Sequence, residues 1–154
     1  MTARSRALTE LGHTDGPLML GGCSAESLAE RFGTPLFVYD AEVIRRRVRA
    51  VRQALGSRVQ LLYSVKANPN VSVCQVLRSQ GCGAEVASAG EILVAVAAGF
   101  AGNDLTLAGP AKSDVDLALG DEHGVGLISV ESEAELDVLL AGDGPPLCLR
   151  VNLP

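Results

Sequence analysis

The chain has little aromatic material: no tryptophan, two tyrosines and three phenylalanines in 154 residues. Its core must therefore be filled by aliphatic side chains and alanine, which the 47% apolar content supplies. The length suffices for one domain with a real core. Positive charge is scarce as well. The net charge is −5, and the one concentration of arginines (45, 46, 47, 49 and 52) shares a helical pattern with Val43, Ile44, Val48, Val51 and Leu55. That pattern reads as the solvated face of an amphipathic helix, which argues against a nucleic-acid partner. Cys23, Cys74, Cys82 and Cys148 show no C-x-x-C spacing, and neither His13 nor His123 lies near a cysteine in sequence. Reduced thiols in a cytoplasmic protein are expected, with no disulfide frame and no metal site. The longest apolar run, Ile92 to Phe100, is too short to span a membrane, so no membrane partner is expected. Met1 to Gly16 carries charges without an apolar core segment; it does not read as a signal peptide and is expected to be loose. No strand is followed by G-x-G-x-x-G, which weighs against a dinucleotide site.

What the chain does have is a regular alternation of strand and helix signals. Pro17 to Leu20 is apolar, with room for an edge strand. Ser24 reads as an N-cap, with Leu28 and Phe32 on one helical face and Gly33 as the stop. Leu36–Tyr39 reads as a strand, and Asp40 as the cap of the arginine-bearing helix, which ends at Gly56. Beyond it the expected strands are Val59–Val65, Ala84–Ala87, Leu105–Ala108, Val125–Val130 and Leu147–Val151. Helices are expected to start near Asn70, Ser88, Ser113 and Ser132, and to stop at Gly81, Gly99 and Gly142. Ser88-x-x-Glu91 and Ser132-x-x-Glu135 have capping-box spacing. Starts recur about every twenty residues, which suits βα units of a parallel sheet. Periodicity leaves open a (β/α)8 barrel or an open doubly wound sheet.

One stretch stands out, Tyr63-Ser64-Val65-Lys66-Ala67-Asn68-Pro69-Asn70. An apolar strand runs into a lysine and is stopped by an Asn-Pro-Asn turn. A lysine at the end of a buried strand is unusual, because desolvating an ammonium is costly. Desolvation favours the neutral amine, which is a nucleophile able to condense with an aldehyde. The alternative is a lysine that snorkels out at a strand end.

Tyr-Ser-Val-Lys-Ala-Asn resembles the cofactor-lysine motif of the barrel-fold pyridoxal-phosphate decarboxylases, the group of diaminopimelate, ornithine and arginine decarboxylases. The upstream Gly33-Thr34-Pro35-Leu36-Phe37-Val38-Tyr39-Asp40 resembles the lead-in of diaminopimelate decarboxylases, and the resemblance runs from about Gly21 to Asn152. Ser64 departs from the usual alanine or proline, with little consequence expected. Alanine racemases share the barrel and the lysine, but Pro69-Asn70-Val71 follows the motif here and favours the decarboxylase branch. The resemblance implies an α/β fold, a partial (β/α)8 TIM-type barrel with parallel strands. It divides the chain into a segment 1–20 and the N-terminal part of a cofactor-binding barrel domain, 21–154. Such a barrel takes about 250 residues, so further strands and a β domain are expected beyond this stretch.

The implied cofactor is pyridoxal 5'-phosphate, with Lys66 as the catalytic residue that takes its aldehyde. Matched to the family motif, Lys66, Glu85 and Arg150 are the expected cofactor-binding residues, all at the C-terminal ends of strands. Within a strand Arg150 needs a partner, Glu85 or a cofactor oxygen. Glu91 either completes the capping box or falls on a recurrent acidic position. Gly109-Pro110-Ala111-Lys112 resembles the loop after the third strand, with Lys112 expected to be solvated. The implied activity is amino-acid decarboxylation on a small substrate by a homodimer. A carrier-bound or siderophore-pathway substrate, and a non-catalytic half-barrel needing a second polypeptide, stay open. The 154 residues alone are expected not to turn over substrate.

Overall fold

The computed structural model describes Thr9, residues 16–141 and residues 144–151. The expected helix stop at Gly142 lies outside the described residues, as does most of the segment 1–20. The chain divides into two compact units, Met1–Ala54 and Leu55–Pro154.

In the first unit, β1 (Met19–Leu20) pairs antiparallel with β2 (Cys23–Ser24). Ser24 caps α1 (Ala25–Phe32) by accepting the Ser27 N–H, and Gly33 ends it at φ 81°. Asp40 opens α2 (Ala41–Leu55): its Oδ1 accepts from the N–H groups of Glu42 and Val43, and its Oδ2 from Gly21 N–H. The arginine-bearing face is partly neutralised from within, since Glu42 pairs with both Arg45 and Arg49. The expected strand Leu36–Tyr39 is a correction. Those residues take no ladder partner among the described residues, and Phe37 is 88% exposed. Strand-forming side chains bias a backbone to extension, but a strand exists only through pairing.

The second unit is a parallel sheet in the order β3-β4-β5-β6-β7. Its strands are β3 (Leu62–Ser64), β4 (Gly83–Val86), β5 (Leu105–Leu107), β6 (Leu127–Val130) and β7 (Leu147–Leu149). Between them run α3 (Val71–Ser79), α4 (Ala89–Ala97), α5 (Asp114–Glu122) and α6 (Glu133–Leu140). All four pairings are parallel, so every loop that leads from a strand into a helix lies at one end of the sheet. Each helix has its expected cap: Asn70, Ser88, Ser113 and Ser132 all accept first-turn N–H groups. Gly81 and Gly99 take the positive φ expected of helix stops.

The pleat sorts the side chains. One face carries Ala84, Val86, Leu105, Leu107 and Ile128, all buried, against Ile92 and Ala95 of α4 and Cys74 of α3. On the other face register aligns Ser64, Glu85, Thr106 and Leu127 in one row. None of that row is fully buried. The sheet thus has a core side made of aliphatic residues and a second side that carries the polar groups.

Candidate active site

The turn that bears Lys66 is built by its neighbours. Val65 is completely buried, which anchors the chain and turns the next residue away from the core. Residues Val65–Ala67 form one 3-10 turn directly after β3, closed by Asn68 N–H donating to Val65 O. The Tyr63 hydroxyl donates to Asn68 O at 3.0 Å, and Asn68 Oδ1 accepts Asn70 N–H at 3.0 Å. Asn70 then caps α3. The Asn-Pro-Asn segment is therefore a rigid bracket for the lysine.

Of the two states left open for Lys66, the structure has the one that snorkels out at the strand end. Its side chain is 67% exposed, so Val65 rather than Lys66 fills the desolvated place. Its ammonium stands 3.5 Å from Glu85 Oε1, the same oxygen to which the Ser64 hydroxyl donates at 3.0 Å. Ser64, expected to be inconsequential, is thus the residue that holds Glu85. Lys66 is placed where it can leave its carboxylate partner, because an exposed pair of this kind is worth only about 0.2–1 kcal/mol.

Arg150 differs from its expectation. It follows β7 rather than lying inside it, and its side chain is 56% exposed. Its partner is Glu131, the residue after β6: Arg150 Nη1 donates to Glu131 Oε1 at 3.4 Å. Lys66, Glu85, Glu131 and Arg150 all stand at the C-terminal end of the sheet, as two pairs: the first at β3–β4, the second at β6–β7.

The loops at this end are fastened by carboxylates, in a way that capping-box spacing only partly foretold. Ser88 and Ser132 each accept the N–H of the glutamate three residues on. The glutamates reach past the cap: Glu91 Oε2 accepts Ala87 N–H and Glu135 Oε2 accepts Glu131 N–H, each at 2.9 Å. The complete capping box is Ser113 with Asp116. Asp116 Oδ1 also accepts Ala89 N–H at 2.6 Å, tying the starts of α4 and α5 together. The Ser113 hydroxyl and N–H, joined by Ala89 N–H, hold the Asp116 carboxyl below its ordinary range against the opposing effect of burial. For Glu135 the largest influence is burial, which raises its pKa; Lys112 and the Glu131 N–H outweigh it, and the net shift is downward.

Lys112, expected to be solvated, is a correction. Its side chain is 1% exposed and its ammonium pairs with Glu135 Oε1 at 2.8 Å. Sequence reasoning missed it because its partner lies on another helix, 23 residues away. Among the described residues no three His, Cys, Asp or Glu side chains are grouped to hold a metal ion, and no helix is long and apolar enough to cross a membrane.

Residues 41–153 match the family model described as pyridoxal-dependent decarboxylase, pyridoxal binding domain. The chain belongs to this family. Diaminopimelate decarboxylase of Bacillus subtilis is 39% identical over 127 residues, covering 80% of this chain and 29% of that protein. AQ1208 of Aquifex aeolicus, a solved structure, superposes with a TM-score of 0.83 at 35% identity, covering 91% of this chain and 36% of that one. The lysine/ornithine decarboxylase of Vibrio vulnificus, solved with putrescine, gives a TM-score of 0.76 at 28% identity, covering 82% of this chain and 35% of its own. The chain thus spans about a third of the length of these relatives. Its sheet is part of a pyridoxal-phosphate decarboxylase barrel, in agreement with the fold expected from the sequence. The cofactor that this family supports is pyridoxal phosphate. The residues fit one end of it: a reachable amine beside a carboxylate, on the side of the sheet away from the helices.

Proposed function

We propose that this chain contributes the cofactor-lysine part of a pyridoxal-phosphate-dependent amino-acid decarboxylase of the diaminopimelate decarboxylase type. The observation that carries the reading is Lys66, 67% exposed and 3.5 Å from Glu85, within residues matched to a pyridoxal-binding domain. When bound, the cofactor supplies an electron sink for the charge left at the α-carbon as carbon dioxide departs.

The chain's own residues do the rest. Lys66 Nζ would be the group that holds the cofactor by its aldehyde carbon, and Glu85 or water would take the proton that the ammonium must shed to become a free amine. Ser64 keeps Glu85 Oε1 in place once Lys66 has moved, since its hydroxyl donates to that oxygen independently. Arg150, already carrying Glu131, would offer a guanidinium edge to the cofactor from the residue just after β7. The proposed substrate is meso-diaminopimelate, a small amino acid, and the proposed assembly is a cytoplasmic homodimer.

Incubation with pyridoxal phosphate, borohydride reduction and peptide mass mapping test the reading directly. A pyridoxyl group is expected on the peptide containing Lys66 and on no other lysine, and is expected to vanish in Lys66→Ala. Labelling elsewhere with Lys66 unmodified rejects it.

A further inference from the structure

The loop Gly109–Lys112 contains Ala111 at φ 55°, a left-handed conformation that a residue with a Cβ seldom adopts. Such a conformation persists where its surroundings hold it. Here they hold the next residue. Lys112 Nζ donates to Gly109 O at 2.8 Å, to Ser129 O at 2.5 Å and to Glu135 Oε1 at 2.8 Å. An ammonium has three N–H donors and no acceptor capacity. All three are committed, so Lys112 is neither a solvated charge nor a spare nucleophile.

Following the contacts outward shows what the commitment achieves. Glu135 uses one oxygen for Lys112 and the other for Glu131 N–H. Glu131 is the first residue after β6, with a side chain only 14% exposed, and its Oε1 receives Arg150. The Glu131–Arg150 contact, at 3.4 Å with Arg150 56% exposed, is too weak to fix its own geometry. Its geometry depends on where the backbone of Glu131 is held. The same carboxylate-to-backbone device occurs where Glu91 takes Ala87 N–H, but there no ammonium pairs with the glutamate among the described residues.

We propose that Lys112 is a positioning residue for the Glu131–Arg150 pair, acting through Glu135. Without the ammonium, Glu135 is left with backbone donors alone, the N–H groups of residues 131 and 112, and no charge draws it to one place. The turn from β6 into α6 then loses its fixed acceptor, and the Glu131 carboxylate no longer meets Arg150 in one place. The proposal rests on the functional reading above only for its consequence at the cofactor; the geometry stands without it.

The test uses the full 154-residue chain, labelled with nitrogen-15, and reads the Arg150 Nε–Hε cross-peak, assigned by its loss in Arg150→Lys. Glu131→Gln sets the position of the broken pair. Lys112→Met and Glu135→Asp are expected to move the peak most of the way to that position, and Glu91→Gln to leave it alone. Glu135→Asp keeps the charge but is one methylene short of bridging both partners, so it decides the matter if Lys112→Met fails to fold. Fluorescence titration with pyridoxal phosphate gives the second readout. Lys112→Met and Glu131→Gln are expected to raise Kd by roughly two- to thirty-fold, the size carried through packed networks. The double variant is expected to add nothing, whereas a purely structural Lys112 gives additive losses. An Arg150 peak that stays put in Lys112→Met and Glu135→Asp, or in Glu131→Gln, overturns the proposal. A moved peak with unchanged Kd upholds the positioning role and rejects Arg150 as a cofactor contact.

Discussion

Lys112→Met is the substitution whose effect the structure specifies most fully. Methionine matches the volume and flexibility of the lysine stem, so packing is largely kept and the ammonium alone is lost. At 2.8 Å the attraction between Lys112 and Glu135 is roughly 6 kcal/mol at an effective dielectric of 20. In the wild type most of that offsets the desolvation of two charges whose side chains are 1% and 9% exposed. Removing one partner leaves the desolvation of the other uncompensated. Glu135 then keeps only backbone donors, the N–H groups of residues 131 and 112, and the carbonyls of Gly109 and Ser129 each lose the ammonium. Breaking a buried pair from one side costs about 3–5 kcal/mol. Against a typical total of about 5–15 kcal/mol, that is roughly a fifth of the stability or more. Urea unfolding at pH 7, followed by far-ultraviolet circular dichroism, measures it as a lower midpoint at unchanged slope. Glu135→Gln gives a second estimate, because an amide places its NH2 against one of the two donors that the carboxylate accepts. A loss below about 1 kcal/mol, the range of exposed pairs, would refute the reasoning and place Lys112 in water.

Lys66→Ala is expected to change stability by less than about 1 kcal/mol, since its pair is exposed, while abolishing borohydride-trapped pyridoxyl label; Lys66→Arg loses the label too, because a guanidinium stays protonated. Stability is expected to fall in acid: Glu135 and Asp116 are depressed in the fold, so their contribution is whole above the ordinary carboxylate range, about pH 4, and is lost as pH drops toward their native values. A midpoint in urea that does not decline between about pH 5 and pH 3 contradicts this. Gly102→Ala is expected to cost about 1–3 kcal/mol by overpacking, because a Cβ there meets backbone carbonyls of His123 and Gly124; equal midpoints for the two proteins would contradict it.

Much of the second unit was legible in the sequence because its signals are local. Asn70, Ser88, Ser113 and Ser132 cap helices by accepting bonds two or three residues away, and any sequence shows that spacing. The five expected strands lie where β3 to β7 are found: β4 is shifted by one residue toward the N-terminus, and the other four are trimmed by one to three residues at one or both ends. Leu36–Tyr39 failed because residue type cannot reveal whether a partner strand is present. Lys66 was singled out by its motif, and of the two states left open for it the snorkelled one is found: the apolar run before it ends in Val65, and only Val65 enters the core. Lys112, Glu135 and the pairing of Glu131 with Arg150 join residues 19 and 23 positions apart. No local pattern marks such a contact.

The two lysines show why residue type and strand-end position do not settle chemistry. Each follows a parallel strand at the same end of the sheet, and each faces a glutamate. Glu85 has a side chain 34% exposed and shares one oxygen between Ser64 and Lys66. Lys66 gives up little when it leaves, and Ser64 remains to hold the carboxylate. Glu135 is 9% exposed and bridges Lys112 to a backbone N–H, while two carbonyls take the other ammonium protons. Lys112 cannot leave without stripping three acceptors, Gly109 O, Ser129 O and Glu135 Oε1, of their charged donor. A nucleophile must be able to change partners, and a fastening must not. By that criterion the exposed pair suits the reactive amine proposed at Lys66, and the buried pair suits the clamp proposed at Lys112.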